Sequence, residues 1–91
     1  MSCRCQITIQ NLKGLHARAT AAFVKTAERF TSDITVEKEG EPPVSGKSIM
    51  GLLMLAVSLG EDITITTDGP DAAEAMAALC ELINHRFGEG E

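Results

Sequence analysis

His16 is one of only two histidines in 91 residues, and it stands between Gly14-Leu15 and Ala17-Arg18-Ala19-Thr20, where the pattern turns from loop to helix. An imidazole at that boundary meets backbone N–H groups that lack carbonyl partners and the positive pole of the helix macrodipole. That pole disfavours imidazolium, and neutral imidazole is the nucleophilic form. A phosphoryl group taken up by His16 would lie against the amides of Ala17 and Arg18, with the Arg18 guanidinium able to pair with its oxygens. These parts make a phosphoryl acceptor; the competing reading is a histidine that only caps a helix or fills a turn. His85, near the end of the last helical segment, shows such a structural use, because a helix C-terminus favours imidazolium without any chemistry.

A second candidate is Ser48, at the end of Gly40-Glu41-Pro42-Pro43-Val44-Ser45-Gly46-Lys47-Ser48. The stretch imitates the phosphate-binding loop G-x-x-x-x-G-K-S. However, five residues separate its glycines, and two of them are prolines, which lack the N–H groups such a loop needs. Nucleotide binding is therefore set aside. Ser48 opens a short helix and is placed to cap it, and a phosphate there would add about two negative charges.

Cys3 and Cys5 look like a C-x-C metal pair, but they continue an alternation with Ile7 and Ile9 against Arg4, Gln6, Thr8 and Gln10, as in a half-buried strand. Cys80 falls on the apolar stripe of the last helix and reads as a packed thiol too. Three cysteines without a secretory signal make no disulfide framework. Neither a metal nor another cofactor is expected. A small metal chaperone of similar element order would carry its cysteines in the loop before the first helix, where this chain has Gly14-Leu15-His16.

The net charge of −5, the absence of Trp and Tyr, and only three Phe argue against general nucleic-acid binding, which needs clustered cations or stacking platforms. No stretch approaches the roughly 20 apolar residues of a membrane span, and the N-terminus has no apolar signal region. A cytoplasmic protein without membrane insertion is expected.

The elements that must position these residues follow from periodicity. A strand over about residues 3–10 ends at Asn11-Leu12-Lys13-Gly14, and a helix runs from about Ala17, with Phe23, Ala27 and Phe30 inward. A second strand spans Ile34 to Glu39, and a short edge strand, limited by Pro42 and Pro43, lies at about 43–46. The helix from Ser48 should bury Ile49, Leu52, Leu53 and Ala56 and leave Met50 and Met54 on another side. Ile63 and Ile65 mark the last strand. Asp71 with Glu74 resembles a capping box, ahead of a helix burying Met76, Leu79, Ile83 and Phe87. The order βαββαβα predicts a single α+β domain over 1–91: an open-faced β-sandwich with a four-stranded, mainly antiparallel sheet and three helices on one face. The tail from about 88 to 91 is expected to fray.

The stretch Gly14-Leu15-His16-Ala17-Arg18-Ala19-Thr20, together with residues 44–56, resembles the HPr family, the histidine-containing phosphocarriers of the bacterial phosphotransferase system. The resemblance covers nearly the whole chain. It implies that His16 carries the phosphoryl group on Nδ1, with Arg18 as the family arginine. It implies enzyme I as donor, using phosphoenolpyruvate, an IIA-type protein as acceptor, and a monomeric relay that is not itself an enzyme. Ser48 then matches the family's regulatory serine, the target of an HPr kinase/phosphorylase, and the alternative is a regulatory binding protein of the same fold acting mainly through Ser48. The family often has proline where this chain has Ala19. Some members that resemble the nitrogen-related branch carry a small residue there, so the resemblance is compatible both with a regulatory phosphorelay and with sugar uptake.

The docking surface expected from these readings joins Leu15, His16, Arg18 and Lys25 to Lys47, Ile49, Met50 and Met54. Apolar anchors among a few cations suit fast, steered encounters with acidic partners. The negative charge is then concentrated elsewhere, in Asp71, Glu74, Glu81, Glu89 and Glu91.

Overall fold

A computed structural model describes residues 1–89. Its elements are β1 (Ser2–Thr8), α1 (Ala17–Ala27), β2 (Asp33–Glu37), β3 (Val44–Ser45), α2 (Ile49–Met54), β4 (Asp62–Asp68) and α3 (Ala72–Asn84), followed by a 3-10 turn over Arg86–Gly88. The strands form one antiparallel sheet in the order β1-β4-β2-β3. Central β4 registers with both neighbours: Asp68 stands opposite Ser2 on β1 and Asp33 on β2.

Alternation decides which face is covered. Ile34, Val36, Ile63 and Ile65 are buried, as is Thr67, and the four aliphatic residues share one core with Phe23 of α1, Leu52 of α2 and Leu79 and Ile83 of α3. Arg4, Gln6, Thr8, Thr35 and Asp62 point to the uncovered side, where short polar contacts such as Gln6 Nε2 to Asp62 (3.1 Å) run between strands. Edge strand β1 leaves Cys3, Cys5 and Ile7 only half-buried. Cys5 and Cys80 are neighbours, and burial first, with Cys5 adding to it, pushes the Cys80 thiol up to about 11. All three cysteines are free thiols.

Several local expectations change. Strand β1 is assigned only to Thr8, although Ile9 continues the pairing through its bonds with Gly60 and Glu61. Helix α1 stops at Ala27, so Phe30 lies beyond it and is half-buried. On α2 the buried residues are Leu52 and, just past its end, Leu55, whereas Ile49, Leu53 and Ala56 are exposed. A helix of six residues cannot carry a stripe as far as Ala56, which adopts a left-handed φ of 52° while Lys38 Nζ donates to the carbonyls of Leu55 and Ala56.

Asp71 makes no capping box. Its carboxylate accepts from the N–H groups of Thr31 and Ser32, both at 2.9 Å, and from the Ser32 hydroxyl, so it ties the α1–β2 connection to the start of α3. The Ser32 hydroxyl, then the Thr31 amide, hold its carboxyl down at about 2. On α3 the buried residues are Ala72, Ala75, Leu79 and Ile83, with Met76 only half-buried. Phe87 is buried, yet not as the next residue of that stripe: Arg86, Phe87 and Gly88 turn the chain through φ values of 54°, 56° and 77°. This turn brings Glu89 to hydrogen bonds with Asn11 and His16, while positions 90 and 91, the end of the expected frayed tail, lie outside the described residues.

Candidate functional site

The loop ahead of α1 is built around Asn11 and Gly14. Asn11 is fully buried; its carbonyl accepts from Gly14 N–H (3.1 Å) and its Nδ2 donates to the Gly14 carbonyl (2.8 Å). Gly14 takes φ +64°, and a Cβ there would meet the Val57 carbonyl oxygen at 2.3 Å. Leu15 then donates its N–H to that same carbonyl (2.9 Å) and buries its side chain to 4% exposure. Leu15 is thus an anchor beneath the loop and no part of a docking surface, which corrects the expectation from the sequence.

These contacts deliver His16 to the N-cap of α1 in an extended conformation, with its carbonyl accepting from Thr20 N–H (2.9 Å). The amides of Ala17, Arg18 and Ala19 precede that first helical bond, so they have no carbonyl partner within the helix. The His16 ring does not cap them. It remains 27% exposed, and its Nε2 lies 2.5 Å from Glu89 Oε2.

Glu89 is only 9% exposed, and its other oxygen accepts from Asn11 Nδ2 at 2.9 Å. Burial works against ionisation of Glu89, but the hydrogen bonds from His16 and Asn11 and the charge of Arg18 outweigh it and hold the carboxyl below its ordinary value. Arg18 itself is exposed. Among the described residues the candidate site therefore groups Asn11, His16, Arg18 and Glu89 with the first amides of α1. Asn11 and Glu89 escaped sequence reasoning: Asn11 reads as a turn residue and Glu89 as tail charge, and nothing local links positions 73 or 78 residues apart.

Ser48 caps α2, its Oγ accepting from Gly51 N–H at 3.0 Å. Helix α2 packs against α1 and exposes Ile49, Met50 (67%), Leu53 and Met54 (74%). Lys25 is exposed in the last turn of α1. Lys47, expected to line the docking surface, is half-buried and donates from Nζ to the Phe30 carbonyl at 2.8 Å, so its ammonium is held by the chain just beyond α1.

Residues 3–85 match the family model described as the PTS HPr component phosphorylation site. The chain belongs to the HPr family. It is 55% identical over 85 residues to the phosphocarrier protein HPr of Neisseria meningitidis serogroup A, covering 93% of this chain and 94% of that one. It is 51% identical over 84 residues to the HPr of Cupriavidus necator, covering 92% and 93%. The crystal structure of HPr-C-His from Thermoanaerobacter tengcongensis superposes with a TM-score of 0.91 at 46% identity, over 96% of this chain and 97% of that one. The HPr fold is thus shared across the whole open-faced sandwich. HPr proteins are phosphocarriers of the phosphotransferase system, relaying a phosphoryl group among partners without being catalysts themselves. Among the described residues no helix is long and apolar enough to cross a membrane.

Proposed function

We propose that His16 accepts, on Nδ1, a phosphoryl group that enzyme I draws from phosphoenolpyruvate, and that it hands the group to an IIA-type acceptor in the cytoplasm. The observation that carries this reading is the N-cap geometry of His16: its ring makes no hydrogen bond to the helix amides, which leaves them free, and it is partly exposed. An oxygen of the incoming group can then take the amides of Ala17 and Arg18, while the Arg18 guanidinium balances its charge. Because the site binds the group at the surface and does not enclose it, the group can leave again as easily as it arrived.

The exposed Ile49, Met50, Leu53 and Met54 supply an apolar contact for both partners, with Lys25 adding positive charge for steering. Ser48, between the Val44–Ser45 strand and that patch, is the regulatory position. A phosphate on its Oγ would place about two negative charges beside Ile49 and Met50 and weaken docking to acidic partners.

The test is incubation with enzyme I and phosphoenolpyruvate, followed by intact-mass measurement before and after acid treatment, with His16→Ala alongside. One acid-labile phosphoryl group, absent from the variant, is the expected result. A failure of wild-type protein to gain mass from a cognate enzyme I would overturn the carrier reading and leave Ser48 regulation as the function.

A further inference from the structure

Bringing Glu89 to His16 demands an unusual backbone. Arg86 and Phe87 both occupy the left-handed region, φ 54° and 56°, before Gly88 at 77°. An L-residue seldom takes that conformation unless its surroundings enforce it. Here Phe87 is buried against the core, and two hydrogen bonds clamp Glu89. Asn11 divides its amide protons between the Gly14 carbonyl, which shapes the His16 loop, and Glu89 Oε1. One buried side chain thus sets both the histidine and the carboxylate that faces it.

The protons follow from the chemistry of the partners. An ionised carboxylate only accepts hydrogen bonds, so Oε1 takes the Asn11 proton and Oε2 must take one from His16 Nε2. The lone pair is then left on Nδ1, for which no partner exists among the described residues. We infer that Glu89, held by Asn11, is a positioning residue that fixes His16 as its Nε2–H tautomer and so makes Nδ1 the nucleophile. This rests on His16 being the phosphoryl acceptor.

In the transfer step the Nδ1 lone pair forms the new N–P bond as the bond from phosphorus to the donor breaks, and that electron pair stays with the donor. No proton leaves Nδ1. The Nε2 proton remains in place, the ring gains a positive charge, and Glu89 at the opposite edge neutralises it, as a carboxylate does for other histidines that must pass through a charged form. On the return transfer the same pair of electrons goes back to the ring.

The test uses full-length, 15N-labelled protein at about pH 8, above the ordinary imidazole range. Long-range 1H–15N correlations of the His16 ring should show one dominant Nε2–H tautomer in wild type and a mixture in Glu89→Gln and Glu89→Ala, with partial recovery in Glu89→Asp. The single-turnover rate of phosphoryl uptake from phosphorylated enzyme I should fall about tenfold or more in the Gln and Ala variants, by analogy with the loss seen when the carboxylate partner of a metal-ligating histidine is removed. A carboxylate that merely pins the chain end would leave the tautomer unmoved. An unchanged tautomer with an unchanged rate overturns the inference alone, while a wild type that takes up no phosphoryl group overturns it together with the acceptor reading.

Discussion

The Val57 carbonyl accepts from Leu15 N–H at 2.9 Å and stands 2.3 Å from the position a Cβ on Gly14 would occupy. One backbone oxygen after α2 therefore both seats the histidine loop and forbids a side chain within it. Gly14→Ala must move this contact or strain a left-handed residue, and the expected cost is about 1–3 kcal/mol by urea denaturation. Slower phosphoryl uptake should accompany it.

Asp71 links α3 to the chain at Thr31 and Ser32. Its folded carboxyl titrates at about 2 against an ordinary 3.8, so the stabilisation is fully present above about pH 4 and is lost as the pH falls towards 2. Asp71→Asn should thus be less stable than wild type at pH 7, with the gap narrowing through that window. A gap that is constant from pH 7 to pH 2 would show that the charge of Asp71 contributes nothing.

Lys25 and Lys47 look alike in sequence and should behave oppositely. Lys47→Met removes the donor to the Phe30 carbonyl and should lower stability by about 1–3 kcal/mol in denaturant titrations. Lys25→Met should change stability by less than about 0.5 kcal/mol, yet slow association with enzyme I at low salt and converge with wild type as salt is raised.

Ser48→Ala loses the acceptor for Gly51 N–H, with an expected cost of about 1 kcal/mol by thermal unfolding. Phosphoryl uptake at His16 should persist in this variant. Its abolition would show that the hydroxyl does more than cap α2.

Met50 and Met54 expose most of their surface, so Met54→Asp should leave stability within about 0.5 kcal/mol of wild type. Steady-state kinetics with enzyme I should then show a KM raised several-fold with little change in kcat, the pattern of a lost docking contact.

What was legible in the sequence was whatever repeats or sits locally. The alternation of Ile63 with Ile65 gave β4, the Gly14-to-Thr20 motif located His16 at a helix start, and Ser48 capped the helix it was expected to cap. Misreadings arose where a distant group competed for a residue. Asp71 had Glu74 nearby as a plausible partner, but the chain at Ser32 offered better-placed donors. Lys47 found a carbonyl at Phe30, and Leu15 a slot beside Val57, neither of which local periodicity can announce. The pairing of Asn11 with Glu89 was invisible for the same reason, and it also depends on consecutive left-handed residues that Arg86 and Phe87 do not advertise.

The sheet order has a consequence for how the chain is made. Strand β1 emerges from the ribosome first, yet its sole strand neighbour is β4, with Ser2 opposite Asp68. It must wait for most of the chain before it can pair, and such distant closures are slow. The histidine waits longer still, because its carboxylate arrives only with residue 89. A nascent chain stalled short of that point would hold His16 without its Glu89 partner, so the surroundings of this ring are among the last contacts that synthesis completes.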